Sequence, residues 1–305
     1  MHSGSDVTSV SRLRKEALSS LVEKLRGYWS LIKSLQTLLL LATGLTGYLS
    51  ARPNDTTSTT VLLMLLSLFA AISGTTALNM VIDRDIDAQM NRTAHRPLPS
   101  GILTPFAASL FGGGLAVLGV GTAFWLGWLY GLVISAGLFF DLVVYTVWLK
   151  RRSVWAIMFG GISGGMPILA GRALGTDRID VLGLLLALSV VTWIPSHVMT
   201  LAIKYAEDYR QAQVPTWPNV RGSDSARRFI ALSNALRLMT LSAAGWMLSI
   251  CPYSLALLSL SGTIMLGLSL WAIARPSERL NYGLFKFASL HMLGSMVLIT
   301  LGAMM

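Results

Sequence analysis

The chain has 305 residues, 53% of them hydrophobic and only 12% charged, with a mean hydropathy of +0.62. Soluble domains carry about 25% charged residues, so there is too little polar surface to coat a globule; a disordered chain, a disulfide-stapled secreted scaffold and an ordinary cytosolic enzyme are excluded. The excess of 24 Lys+Arg over 14 Asp+Glu reads as inside-positive charge meeting anionic lipid on an integral membrane protein, with no nucleic-acid partner.

Residues 1–28 come first. Val10, Leu13, Ala17, Leu21, Leu25 and Tyr28 recur at three- and four-residue steps, and Arg12, Arg14, Lys15, Lys24 and Arg26 line the other face. That pattern predicts a basic amphipathic helix lying on the bilayer; with no uninterrupted apolar core or cleavage site, no signal peptide is read. A spanning helix needs about 20 mostly apolar residues. Nine stretches qualify, at roughly 30–50, 60–83, 104–125, 128–149, 154–173, 180–203, 227–250, 253–275 and 282–304. Continuous apolar runs argue for helices rather than the short alternating strands of a barrel. The expected fold is therefore all-α and polytopic, with residues 29–305 forming one nine-helix transmembrane domain.

Nine crossings put the termini on opposite sides. The N-terminal segment and the loops after spans two, four, six and eight hold 19 of the 24 Lys/Arg, which places the N-terminus and these loops in the cytoplasm. The single cysteine, Cys251, excludes an intrachain disulfide and a multi-thiolate metal site. Gly160/Gly164 and Gly161/Gly165 read as small-residue positions where helices approach closely.

Five of the 14 carboxylates fall in two clusters, Asp83, Asp85 and Asp87 after the second span and Glu207 and Asp208 after the sixth. Four-residue steps put Asn79, Asp83 and Asp87 on one helical face. Stacked like charges at a membrane boundary need a positive partner, and Mg²⁺ is typically held by one or two carboxylates plus substrate phosphates. Arg92 and Arg96 follow at a spacing of four, supplying donors for phosphate oxygens. Carboxylates for a metal beside guanidiniums for an anion make a site for a metal–diphosphate complex.

These residues resemble the intramembrane aromatic prenyltransferase superfamily, whose first signature is N-x-x-x-D-x-x-x-D. NMVIDRDIDAQMNRTAHRPLPSG (79–101) is similar to its haem-farnesylating branch, as are YTVWLKRR (145–152), GGISGGMP (160–167) and IPSHVMTLAIKYAEDYRQAQVP (194–215). The chain departs from that branch at Ser196, where a second proline is usual, at Gln213, where glycine is common, and at Thr216-Trp217 in place of Met-Leu. Many relatives carry a second D-x-x-x-D; here Ala212 follows Asp208.

The resemblance implies nine helices around a central cavity open to the cytoplasmic side of the cell membrane, with the active site at that face. It implies farnesyl transfer from farnesyl diphosphate to a vinyl group of protohaem IX (haem b), giving haem O. The rival acceptors are a 4-hydroxybenzoate-like quinone precursor and an archaeal lipid intermediate; a transporter without chemistry is the rival from another class. Two Mg²⁺ ions are implied: Asn79, Asp83 and Asp87 hold one, and Asp208, with Glu207 as an optional helper, holds the second. Arg92, Arg96, Lys150 and Lys204 grip the diphosphate, and Arg151, Arg152 and Arg210 are available for haem propionates. Tyr145 and Tyr209 orient the diphosphate, line the cation pocket, or simply anchor span ends. A haem A synthase or terminal oxidase is the implied downstream partner.

The in-span polar residues complete the reading. His197 is an acceptor-site residue or a satisfied core histidine, and His291 with Lys286 has the same two readings. Asp141 and Arg237 are expensive inside a bilayer and should face a cavity or each other, a buried pair being the simpler expectation. His95 is left without a role.

Overall fold

The computed structural model describes residues 4–53 and 56–304, with side chains from Leu18 onward, and they are helical with no strand. Helix α1 runs Gly4–Leu31, α2 Ser34–Ser50, α3 Ser58–Ile82 and α4 Arg84–Gln89. Next come α5 at Pro105–Leu126 and α6 at Trp128–Leu138, which continues as a π-helix over Phe139–Leu149. Then follow α7 Ala156–Thr176, α8 Val181–Lys204, α9 Ala206–Gln211, α10 Trp217–Arg221, α11 Ser223–Met247, α12 Pro252–Ala274 and α13 Glu278–Met304.

Local chemistry sets several of the starts. Side-chain oxygens of Thr57, Thr104 and Asp180 accept from the backbone N–H of Thr60, Ala107 and Gly183, satisfying donors that a helix N-terminus leaves open. Pro105 and Pro252 occupy first-turn positions, where no N–H is needed.

Each expected span corresponds to a long helix. Among the described residues, seven helices are long and apolar enough to cross a membrane: α3, α5, α6 with its π continuation, α7, α8, α12 and α13. The other two differ for physical reasons. Helix α2 is only 17 residues long, and α11 carries Asp224, Arg227, Arg228 and Arg237. The outward side chains of the bundle are apolar, among them Leu62, Leu66, Phe106, Leu110, Val117, Trp125, Leu260 and Leu270. This is a multi-pass membrane protein.

In α1 the side chains of Val10, Arg12, Leu13, Arg14, Lys15 and Ala17 lie outside the described residues. Its described residues Leu18, Leu21, Val22, Leu25 and Trp29 are exposed, while Tyr28 packs on Phe111 at 5.0 Å.

The helices pack as a ring in the order α2, α3, α5, α6, α7, α8, α11, α12, α13, closing from α13 onto α2, with α2–α7 and α8–α13 contacts across it. Backbones meet most tightly where α2 crosses α7. A Cβ on Gly47 would stand 2.0 Å from the Ile168 carbonyl oxygen, and one on Gly171 2.0 Å from that of Gly44. Only glycine permits this approach. Of the four glycines expected to serve close packing, Gly165 does so against Ala187 of α8. Gly160 and Gly164 do so against side chains, an added Cβ standing 2.6 Å from the Tyr145 ring and 2.6 Å from Ile194, and with Gly161 they also line a central cavity.

Candidate active site

That cavity, of about 750 Å³, lies inside the ring and is lined from α2 and the preceding Lys33, α3, α6 and its π continuation, α7, α8 and α13. Its wall is mostly apolar, including Leu68, Ile134, Met166, Ile194 and Met292. Its few charged groups are Lys33, Asp141 and Lys286, and Tyr145 and His197 also face it.

The first acidic cluster adjoins its polar end. Asp83, 1% exposed, is the C-terminal cap of α3 and ion-pairs through Oδ2 with Lys150. Its Oδ1 is buried without a hydrogen-bond partner. Lys150 also stands 5.7 Å from the Tyr145 ring centroid, linking the acid to the cavity wall. One turn earlier, Asn79 donates to Thr146 Oγ1 at 2.6 Å, and Thr146 donates to the Asp141 carbonyl at 2.7 Å.

Asp87 is buried and accepts from Arg96 Nη1 at 2.9 and 2.7 Å. Asp85 points outward to a two-pronged contact with Arg151, both bonds 2.6 Å. That guanidinium holds the Asp85 carboxyl well below the usual range, at about 2.

The second acidic cluster is brought against the first by packing. Ile86 and Met90 bury against Ala212, Val214 and Tyr209, which docks α9 beside α4. Asp208 then accepts from the Arg92 backbone N–H at 3.2 Å and the Asn91 side chain at 3.5 Å. Arg92 lies 5.1 Å over the Tyr205 ring, with its buried Nε unpartnered. Lys204 stands 4.4 Å over Tyr282 and 5.2 Å over Tyr205.

Asn79, Asp83, Asp87, Asp208, Arg92, Arg96, Lys150 and Lys204 thus sit where helix ends and the 84–96 segment meet. Glu207 and Arg210 do not join them; they pair with each other on the exposed face of α9. Arg152 and His95 are exposed. Among the described residues, no three carboxylate, His or Cys side chains converge as a metal cage. Mg²⁺ usually needs only one or two carboxylates plus substrate phosphates, and an orphaned buried oxygen on Asp83 fits that requirement.

One expectation is corrected. Asp141 and Arg237 form no pair: Asp141 faces the cavity, whereas Arg237, 2% exposed, approaches the Ser189 carbonyl at 3.5 Å and the Met292 sulfur at 3.6 Å. Nothing in sequence spacing says which face of α11 turns inward at Arg237. His291 is buried with both ring nitrogens unpartnered, and Lys286 lies 4.7 Å over Tyr282.

Sequence reasoning also missed Lys33. It reads as one more inside-positive charge, yet it caps the start of α2 at φ 49° and lines the cavity. A cation within the first expected span was the available signal. Asn91 and Thr146 gave none, because their partners are distant in the chain.

Comparisons with known proteins agree with this fold and assign the family. Residues 40–291 match the UbiA prenyltransferase family. A protoheme IX farnesyltransferase of Archaeoglobus fulgidus is 42% identical over 218 residues, 72% of this chain and 76% of that one. A structure of digeranylgeranylglyceryl phosphate synthase superposes with a TM-score of 0.75 at 20% identity, covering 92% of this chain and 99% of that one. A UbiA homologue from Archaeoglobus fulgidus, bound to DMAPP and Mg²⁺, gives 0.67 at 15% identity, over 89% and 98%.

Proposed function

For this chain, which belongs to the UbiA prenyltransferase family and is therefore a prenyltransferase, we propose transfer of a farnesyl group from farnesyl diphosphate to a vinyl group of protohaem IX, giving haem O. The observation that carries the reading is the buried Asp83–Lys150 pair, with its orphaned carboxylate oxygen, at the polar end of a large apolar cavity. The name of the 42%-identical relative supports the acceptor.

In this reading Asn79, Asp83, Asp87 and Asp208 hold two Mg²⁺ ions. Bound Mg²⁺ supplies neutralising charge as the allylic C–O bond breaks and diphosphate leaves. The remaining work belongs to the chain's own residues. Lys150 and Arg96 neutralise Asp83 and Asp87 without substrate; with it, they turn to phosphate oxygens, joined by Arg92 and Lys204. Tyr145 lines the cavity beside the reacting carbon, and the apolar walls shelter the allylic cation from water. The vinyl group captures that cation through its terminal carbon, leaving positive charge on the carbon next to the macrocycle; water adds there and releases a proton, giving the hydroxyethylfarnesyl substituent. Arg151, already paired with Asp85, and exposed Arg152 and Arg210 form the basic rim for propionates.

The same reading takes α2 and α11 as the first and seventh spans of a nine-helix bundle, because both stand in the ring and α11 buries its polar residues Ser233, Asn234 and Arg237 inward. Its acidic end faces the cytoplasm of the cell membrane, where 19 of 24 Lys/Arg lie by sequence, and α1 lies on that leaflet. A downstream haem-modifying enzyme or oxidase takes the product.

The test is direct. Detergent-solubilised protein with Mg²⁺, farnesyl diphosphate and haem b should yield a heavier haem by mass spectrometry, and chelation should abolish it. Prenylation of 4-hydroxybenzoate with none of haem would overturn the acceptor assignment.

A further inference from the structure

His197 has no part in diphosphate chemistry, yet it is held more firmly than its surroundings require. Its ring is stacked between Trp193 and Phe285, both centroids at 4.6 Å, with interplanar angles of 23° and 30°. Trp193 is fixed in turn by Nε1 donating to the Ala288 carbonyl at 2.8 Å. Both faces of the imidazole are therefore covered, and only its edges remain.

One edge is taken. His197 Nδ1 lies 3.2 Å from Ser289 Oγ. Ser289 Oγ also lies 3.3 Å from the Phe285 carbonyl, to which it can donate its single hydroxyl proton. With the hydroxyl turned that way its oxygen accepts from Nδ1–H, and Nε2 keeps the lone pair. The residue lines the cavity, and with both faces and Nδ1 occupied the free edge bearing Nε2 is what meets it. A neutral imidazole whose far N–H is anchored, with the other nitrogen open, is how a protein presents a metal ligand.

On the reading that protohaem is the acceptor, we infer that His197 is an axial ligand of its iron through Nε2. Coordination fixes the macrocycle at the iron, so that its vinyl edge, not its face, is offered to the cation generated at the acidic end. Ser289 is a positioning residue, acting only through the imidazole.

The experiment uses the full chain in detergent with haem b and no farnesyl diphosphate. Ferrous haem bound to the wild type should give an iron–histidine stretch by resonance Raman. His197→Gly should lose that band and regain it on adding imidazole. Ser289→Ala should keep the bond, shift the band to lower frequency and weaken haem binding by roughly 10- to 100-fold. If the glycine variant does not fold, His197→Met serves, and its iron spectrum should change to that of a non-imidazole ligand. An iron spectrum identical to wild type in either folded variant overturns the ligand assignment while leaving haem as acceptor. A wild type that neither binds nor farnesylates haem overturns both.

Discussion

At Asp83, a carboxylate 1% exposed is neutralised by one lysine and keeps one oxygen without a partner. Breaking such a pair leaves an uncompensated buried charge, at about 3–5 kcal/mol. Lys150→Ala should therefore lower the melting temperature in detergent. Mg²⁺ with diphosphate should restore much of that loss, since the carboxylate then has a cation to hold. Asp83→Ala should fold but lose roughly 10²- to 10³-fold in turnover, measured as haem product formed. A different residue-level effect arises at Gln213, a position where the resemblance led us to expect glycine. Its φ of 55° is left-handed, which costs a residue bearing a Cβ about 1 kcal/mol. Gln213→Gly should raise thermal stability by up to about that amount, read from the unfolding midpoint.

At the scale of elements, two junctions decide the geometry. The first is the α2–α7 crossing, where added Cβ atoms at Gly47 or Gly171 would penetrate the partner backbone. Gly171→Val should prevent the bundle from closing, seen as aggregation on size-exclusion chromatography, whereas Gly113→Val, in open space, should not. The second is the α7–α8 hinge. Arg172 donates to both oxygens of Asp180 at 2.7 and 2.6 Å, and to the Ser50 carbonyl at 2.9 Å. Arg172 holds the Asp180 carboxyl below its ordinary value of 3.8. A depressed carboxylate contributes stability that is fully present above that value and fades as pH falls below it. Asp180→Asn should therefore lower the melting temperature at pH 7, and the gap to wild type should close under strong acid.

For the whole molecule, the proposed orientation sets the sole cysteine against the acids. Cys251 lies between α11 and α12, partly exposed, and a hydrogen bond with Ser254 lowers its thiol pKa. More thiolate means faster alkylation. An impermeant maleimide added outside intact cells should label Cys251, whereas a cysteine introduced at exposed Arg152 should react only after permeabilisation. The reverse pattern would invert the bundle.

Much of this was legible in residue order. Helix positions, the acid register 79/83/87 and the charge bias along the chain are carried by neighbours within a turn or a loop, so hydropathy and spacing fix them. The π-helical stretch before Lys150, the separation of Asp141 from Arg237, the withdrawal of Glu207 to the surface and the cradle around His197 were not legible. Each depends on which face one helix turns toward another far along the chain. That choice follows from backbone approach at residues such as Gly47 and Gly171 and from the burial of Ile86 against Val214, interactions that arise only once the helices are packed.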